Sequence, residues 1–354
     1  MLGKIKIFSK YVRWLIFGAG LFFLIITFKQ HALEVGSLKI TALGWVDLGL
    51  SLIVTLLAHI WSGWVWTWIL REFNQPVPVF WALRIYLTTN MAKYIPGNVW
   101  HFYGRILTIN QIGVPGNVAT VSVLLEPLLM AAAALIMALL GSFAPLQNTS
   151  AHGLEIGAYK FSQTVIQIGK ILGLTGVLLG VHPVILNPLV KFLGKGKLKN
   201  QRKKHHPAPK FTRKITAESD KDSLNSLRLE PGQLQRYPLV PLIGELGFLW
   251  LRGSGFLLAM LAMLQPLDSF NLSTLISSGF LVLSAFSFAW LLGLVLPGAP
   301  GGIGIFEATA IALLQNNFPP GILLGAIAFY RLISLAAEAI GGASAWLIEK
   351  YPRD

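Results

Sequence analysis

The sequence predicts an all-α, polytopic integral membrane protein, and three observations carry that prediction. Apolar runs close to 20 residues recur along the whole chain, the length an α-helix needs to cross a hydrocarbon core of about 30 Å. Charged residues make up 12% of the 354 residues and hydrophobic ones 54%, against roughly 25% charged in ordinary soluble proteins. The long runs also lack the alternation that marks a transmembrane β-barrel. Several chemistries fall away at once. With no cysteine there is no disulfide, zinc–thiolate site or thiol nucleophile. The seven histidines are scattered apart from His205-His206, so no metal or other cofactor is expected.

Taken in order, Lys4, Lys6, Lys10 and Arg13 lead into a first span near 12–28. It is long for a signal peptide and no small-residue cleavage site follows, so it reads as a retained helix. A second span near 46–70 ends in Trp61, Trp64, Trp66 and Trp68, aromatics expected as interfacial anchors and packing. A three-part unit follows: apolar 79–95, a break at 96–98 and a short segment at 99–112. Pro115 and Gly116 then precede a full span near 117–141. A mildly polar loop at 142–161 leads to a span near 162–182, and residues 191–236 form a basic loop of disordered composition. A span near 238–264 introduces the same pattern again: apolar 272–296, break 297–304, short 305–317, Pro319-Pro320-Gly321, and a span at 322–347. The expectation is about eight membrane-spanning elements plus broken or re-entrant helices, in one membrane domain over 1–354.

The two units match in spacing. Pro96 to Pro115 is 19 residues and Pro300 to Pro320 is 20, while Pro115 to Glu126 and Pro320 to Arg331 are both 11. Each unit follows two plain spans, which predicts a five-plus-five repeat with halves at about 1–141 and 150–350. Duplicated, broken segments are a transporter signature, with the binding site where they meet. Charge sets the orientation. Residues 191–236 hold 13 of the 29 Lys and Arg against four acids, a net +9 within a total of +14. Placing this loop and both termini in the cytoplasm, on the inner side of a plasma membrane, satisfies the positive-inside rule. Only Lys29, Lys39 and Lys160 then fall outside. With that assignment the halves must run in opposite directions. The basic loop suits anionic lipid headgroups better than nucleic acid, since no folded domain organises its charge.

Irregular backbone cannot face hydrocarbon, because each unpaired N–H or C=O would cost several kcal/mol. The two breaks are therefore the candidate site. The first offers Pro96, Gly97 and Asn98, flanked by Asn90, Lys93, Tyr94, His101 and Arg105; the second offers Pro300, Gly301, Gly302 and Gly304, followed by Glu307. Helix N-termini at such breaks attract anions, so Lys93, Asn98 and Arg105 are expected to hold a phosphate. Asn90 and His101 would add neutral hydrogen bonds. Glu126, Arg331 and Glu338 are further charges inside apolar spans, each costing about 2.5–3.5 kcal/mol to insert unless paired or facing a cavity. Arg331 and Glu338, seven apart, share one helix face. The exchange of Glu126 for Arg331 at equivalent positions suits pairing across a pseudo-twofold axis, and Arg331 is also the expected resting partner of Glu307. Arg252 and Glu245 lie on the span before the second unit.

At these residues a resemblance enters. The stretch Asn90-Met-Ala-Lys-Tyr-Ile-Pro-Gly-Asn-Val-Trp, with Gly104-Arg105 after it, and the stretch Pro300-Gly-Gly-Ile-Gly-Ile-Phe-Glu307-Ala resemble the lysylphosphatidylglycerol synthase transmembrane family, also catalogued as UPF0104 integral membrane proteins. The layout of the whole chain is similar to that family, although only these two motifs are specific. In its large members the membrane module is implicated in moving aminoacylated phospholipid between leaflets, while a separate soluble domain transfers the amino acid. The chain ends seven residues after its last expected span, so the resemblance implies the translocating module without the synthase activity.

The function expected is a lipid translocase of flippase type, not an enzyme, acting on an anionic or zwitterionic headgroup. A separate synthase or glycosyltransferase is its expected partner; oligomeric state is left open. Two alternatives remain. One is a membrane-embedded transferase using a lipid-linked donor, for which the external loops offer mainly Glu34, Asp47, Glu155 and Asp268, widely spaced and without paired carboxylates. The other is an accessory subunit of cell-envelope synthesis that docks through the basic loop.

Overall fold

The structure is a computed structural model and describes residues 40–94, 99–141, 154–156, 159–161, 163–195, 233–264, 272–295, 302 and 304–350. The described helices are α1 (Ala42–Glu72), α2 (Val79–Asn90), α3 (Trp100–Gln111), α4 (Gly116–Leu140), α5 (Gln163–Gly180) and α6 (Pro183–Lys195). They continue with α7 (Leu239–Leu264), α8 (Leu272–Val295), α9 (Ile305–Leu314) and α10 (Pro320–Lys350). A 3₁₀ turn, Met91–Tyr94, extends α2.

Local chemistry sets the helix starts. Thr41 caps α1, its hydroxyl oxygen accepting from the Gly44 N–H at 3.1 Å. Pro183 and Pro320 occupy the first positions of α6 and α10, where proline loses no hydrogen bond and its fixed φ suits the helix. Pro78 and Pro115 stand one residue before α2 and α4.

Helix lengths decide what crosses. With 12 residues each, α2 and α3 reach about 18 Å at 1.5 Å per residue, too short for a core of about 30 Å. The ten residues of α9 reach less. Among the described residues α1, α4, α7, α10 and the Ser278–Val295 part of α8 are long and apolar enough to span, five in all, and α5 with α6, bent by 56°, pass together as a sixth. The expected span at 12–28, the 96–98 break and most of 297–304 lie outside the described residues.

Two elements differ from expectation. The stretch assigned to the start of the basic loop is helical through Lys195, as α6. Its Lys191 and Lys195 belong to the basic composition by which 191–236 reads as a loop. Within the 142–161 loop, β1 (Leu154–Ile156) and β2 (Tyr159–Phe161) pair antiparallel, Leu154 opposite Phe161, and β1 packs against α9.

The bundle is organised around α1 and α7, which run antiparallel. Gly44 lies against the Ala262 carbonyl, and an added Cβ would sit 2.9 Å from that oxygen. Further along, the Ser51 hydroxyl donates to the Gly255 carbonyl at 2.6 Å. Trp61 Nε1 donates to the Gly244 carbonyl at 2.7 Å. A Cβ at Gly244 would lie 2.7 Å from Val65, so this close crossing needs a small residue, as is common between membrane helices.

The remaining helices pack in reciprocal fashion. As α1 lies on α10, so α7 lies on α4; as α2 lies on α10, so α8 lies on α4. The same correspondence holds for α1–α2 with α7–α8, α2–α3 with α8–α9, and α3–α4 with α9–α10. One buried cluster centres on α1 and α4, the other on α7 to α10. In the second, Phe256, Phe286, Phe306 and Tyr330 nest with ring centroids 5.4–6.3 Å apart. One end of the bundle carries the close of α1, the start of α4 and α6. There Arg236 pairs with Glu72 at 3.1 Å, and Asn117 Nδ2 donates to the Val190 carbonyl at 3.2 Å.

Candidate functional site

Charge collects at mid-height of the helices, in three groups. The first follows from α3 lying against α4. Arg105 Nη1 meets Glu126 Oε2 at 2.5 Å, and the Tyr86 hydroxyl of α2 donates to Glu126 Oε1 at 2.7 Å. Ser62 of α1 is 2.6 Å from that hydroxyl oxygen. Because Tyr86 spends its proton on Glu126, Ser62 is the donor in that contact. The Arg105 guanidinium lies 3.8 Å from the Tyr86 ring centre, and its Nε donates to Thr89 at 3.3 Å. Side-chain exposure is 1% for Arg105 and 3% for Glu126. The pair is sealed.

The second group repeats this with the charges exchanged. Glu307 opens α9 and Arg331 lies on α10; Nε to Oε1 is 2.5 Å. Arg331 Nη2 also donates to the Gly302 carbonyl at 2.9 Å, which ties α10 to the remnant of the second break. Gly302 has φ +72°, and a Cβ there would stand 2.9 Å from Gly293 Cα. Glycine is required twice over, for the left-handed backbone and for the close approach to α8. Here the side chains are 16% and 13% exposed, and Glu307 Oε2 accepts no hydrogen bond. The pair is half-open.

The third group joins α10 to α1, α7 and the Met91–Tyr94 turn. Glu338 of α10 accepts from Lys93 Nζ at 2.7 Å and from the Tyr94 hydroxyl at 2.8 Å. His59 Nε2 of α1 lies 3.3 Å from it and Arg252 Nη1 of α7 lies 3.8 Å away. Arg252 Nη1 also stands 2.8 Å from His59 Nε2. That nitrogen either accepts from Arg252 or donates to Glu338, never both. Lys93 keeps 22% of its side chain exposed while Glu338 keeps 1%, so the junction opens on the Lys93 side.

Of the expected site residues, Lys93, Tyr94 and Glu338 come together, as do Arg105 with Glu126, and Glu307, Arg331 and Gly302. The expected pairing of Glu126 with Arg331 is replaced by pairing inside each unit, because α3 and α9 lie on the helix that follows them. Arg105 meets a carboxylate where the sequence reading had it meeting a phosphate. Asn90 is buried at the close of α2. His101 is buried beside Phe102, with Nδ1 unbonded. Gly304 has φ +80° and caps α9. Pro96, Gly97, Asn98, Pro300 and Gly301 lie outside the described residues.

The sequence reading did not assign His59, Tyr86 or Lys170 to any polar group. The last is buried on α5 and donates to the Ala138 carbonyl at 3.3 Å. A single ionisable residue inside an apolar helix was the available signal for His59 and Lys170. Of the tryptophans expected as interfacial anchors and packing, Trp66 is packing: it is fully buried, with Arg105 5.7 Å from its ring.

Comparison with curated proteins finds no match. The family model described as the lysylphosphatidylglycerol synthase TM region matches residues 12–342. A multi-pass helical membrane protein with paired charges in its interior, this chain belongs to the lysylphosphatidylglycerol synthase transmembrane family.

Proposed function

We propose that the chain is a lipid translocase that carries an anionic or zwitterionic headgroup past the mid-height charges while the acyl chains stay in lipid. One observation carries the reading: the interior ion pairs are not all closed, since Lys93, Arg331 and Glu307 keep exposed edges at mid-bundle. A charge that only locked helices together would be covered on every side, as Arg105 and Glu126 are. Lys93 is the phosphate contact, and Glu307 faces an amine. Arg105 acts as a lock on α3, which follows the first break. The family's name, a lysylphosphatidylglycerol synthase TM region, supports a phospholipid as cargo. Any amino-acid or sugar transfer would then belong to a separate protein.

The same proposal includes an inverted repeat. The antiparallel run of α1 and α7, the reciprocal helix contacts and the exchanged ion pairs support it. Its orientation is the one the basic loop favours: α6 and the Glu72–Arg236 end face the cytoplasm across a plasma membrane.

The test is headgroup movement in reconstituted vesicles, using headgroup-labelled phosphatidylglycerol and phosphatidylethanolamine. Wild type should exceed protein-free vesicles, and Glu307→Gln should fall about tenfold, the equivalent of about 1.4 kcal/mol. Wild-type rates equal to empty vesicles would overturn the translocase. An unchanged rate in correctly inserted Glu307→Gln would remove Glu307 from the path.

A further inference from the structure

Glu245, on α7, has no role in any of the three groups. It is fully buried, and neither carboxyl oxygen has a hydrogen-bond partner. The other interior carboxylates all have cations: Glu126 has Arg105, Glu307 has Arg331 and Glu338 has Lys93. An ionised carboxylate without donors in such a place would lose far more hydration than packing could return. A carboxyl retained only for packing would gain nothing over Leu or Met.

Its surroundings narrow the role. The helix of Glu245 packs against α4, which carries Glu126, and the charges of Glu126 and Arg105 act on its carboxyl. Seven residues along α7, Arg252 faces His59 of α1 and Glu338 of α10. The α8 sequence holds no titratable residue. Two acids thus share one guanidinium, and that guanidinium is committed to Glu126.

We propose that Glu245 is a proton-binding site, and that its proton decides which helix Arg105 holds. With the proton on, Glu245 is neutral and leaves the Arg105–Glu126 lock intact. With the proton off, two carboxylates compete for Arg105. The lock between α3 and α4 then loosens toward α7, the helix that packs on α1 at the centre of the bundle. The buried carboxyl without a hydrogen-bond partner carries the site; that its proton drives headgroup movement rests on the translocase reading.

The test separates the two. Infrared spectra of the full chain in nanodiscs should contain the carbonyl stretch of a protonated carboxyl that disappears in Glu245→Gln. That variant should fold and melt with the wild type, because an amide replaces a neutral carboxyl at nearly equal shape. Absence of a band assignable to residue 245, or a Glu245→Gln protein that fails to fold, would overturn the proton site. In vesicles, an imposed pH gradient should alter wild-type headgroup movement, and Glu245→Gln should lose that response. A band without this loss would leave the proton site and overturn its coupling. A band with no lipid movement by wild type would retain the site and overturn the translocase.

Discussion

The pairs Arg105–Glu126 and Arg331–Glu307 are the same device built twice with opposite outcomes. In each, a short helix after a break is held to the long helix that follows, through one arginine and one glutamate at 2.5 Å. The first is roofed by Tyr86, Ser62 and Trp66 and excludes solvent. The second rests on a glycine carbonyl and leaves a carboxylate oxygen unbonded. A buried pair can be kept only if every lone pair and proton is satisfied; the first meets that condition and the second does not. Under the translocase proposal, the first serves as a lock and the second as a contact surface.

The largest way to break the comparison is Arg105→Ala. It strands Glu126 in the interior, and removing one partner of a buried pair costs about 3–5 kcal/mol. Thermal unfolding in nanodiscs should show a large drop in Tm. The exchange Arg105→Glu with Glu126→Arg should recover much of it, since the second half already uses that polarity. No recovery would mean that the Tyr86 and Ser62 roof reads the polarity as well as the charge.

Next comes Gly302→Ala. The added Cβ meets the Gly293 backbone, which has no flexible end to move aside, and the φ of +72° adds about 1–2 kcal/mol of strain. Gly304→Ala carries similar strain at φ +80° with open space around it. Gly302→Ala should therefore lower Tm more than Gly304→Ala, and it should also slow headgroup movement by shifting the carbonyl that Arg331 holds. Equal effects would show that the strain alone matters and the α8 contact does not.

These expectations draw on parts of the protein that differ in how readable they were. Long apolar runs place α1, α4, α7 and α10 within a few residues, because hydrocarbon thickness sets their length. Proline positions mark the starts of α4 and α10 for a backbone reason. Proline is not always a boundary, since Pro188 sits inside α6. Equal spacing from Pro115 to Glu126 and from Pro320 to Arg331 points to equivalent places. Partner choice is legible for Glu307 and Arg331, which pair as expected, and not elsewhere. Spacing fixes a residue's place on its own helix, but partners depend on how helices cross, so Glu126 finds Arg105 rather than Arg331. His59 reaches the Glu338 junction only because α1 crosses α7 and α10 at that height, which no local pattern records.

The smallest expected effect comes from a third ion pair, at the end of the bundle. Arg236 meets Glu72 through Nε and Nη2 at 3.1 and 3.3 Å, a two-point contact longer than the 2.5 Å of the two interior Arg–Glu pairs. The arginine side chain is 74% exposed, so water competes for it and salt screens it. Arg236→Ala should leave Tm within measurement error and should not change headgroup movement, whereas Arg105→Ala removes the same chemical group with a large loss. Measuring both at low and high salt sharpens the point. Salt should erase any residual effect of Arg236→Ala and leave that of Arg105→Ala unchanged, because the Debye atmosphere does not enter a buried pair. A salt-sensitive Arg105→Ala would mean that water reaches the first pair, and the distinction between lock and contact surface would fail.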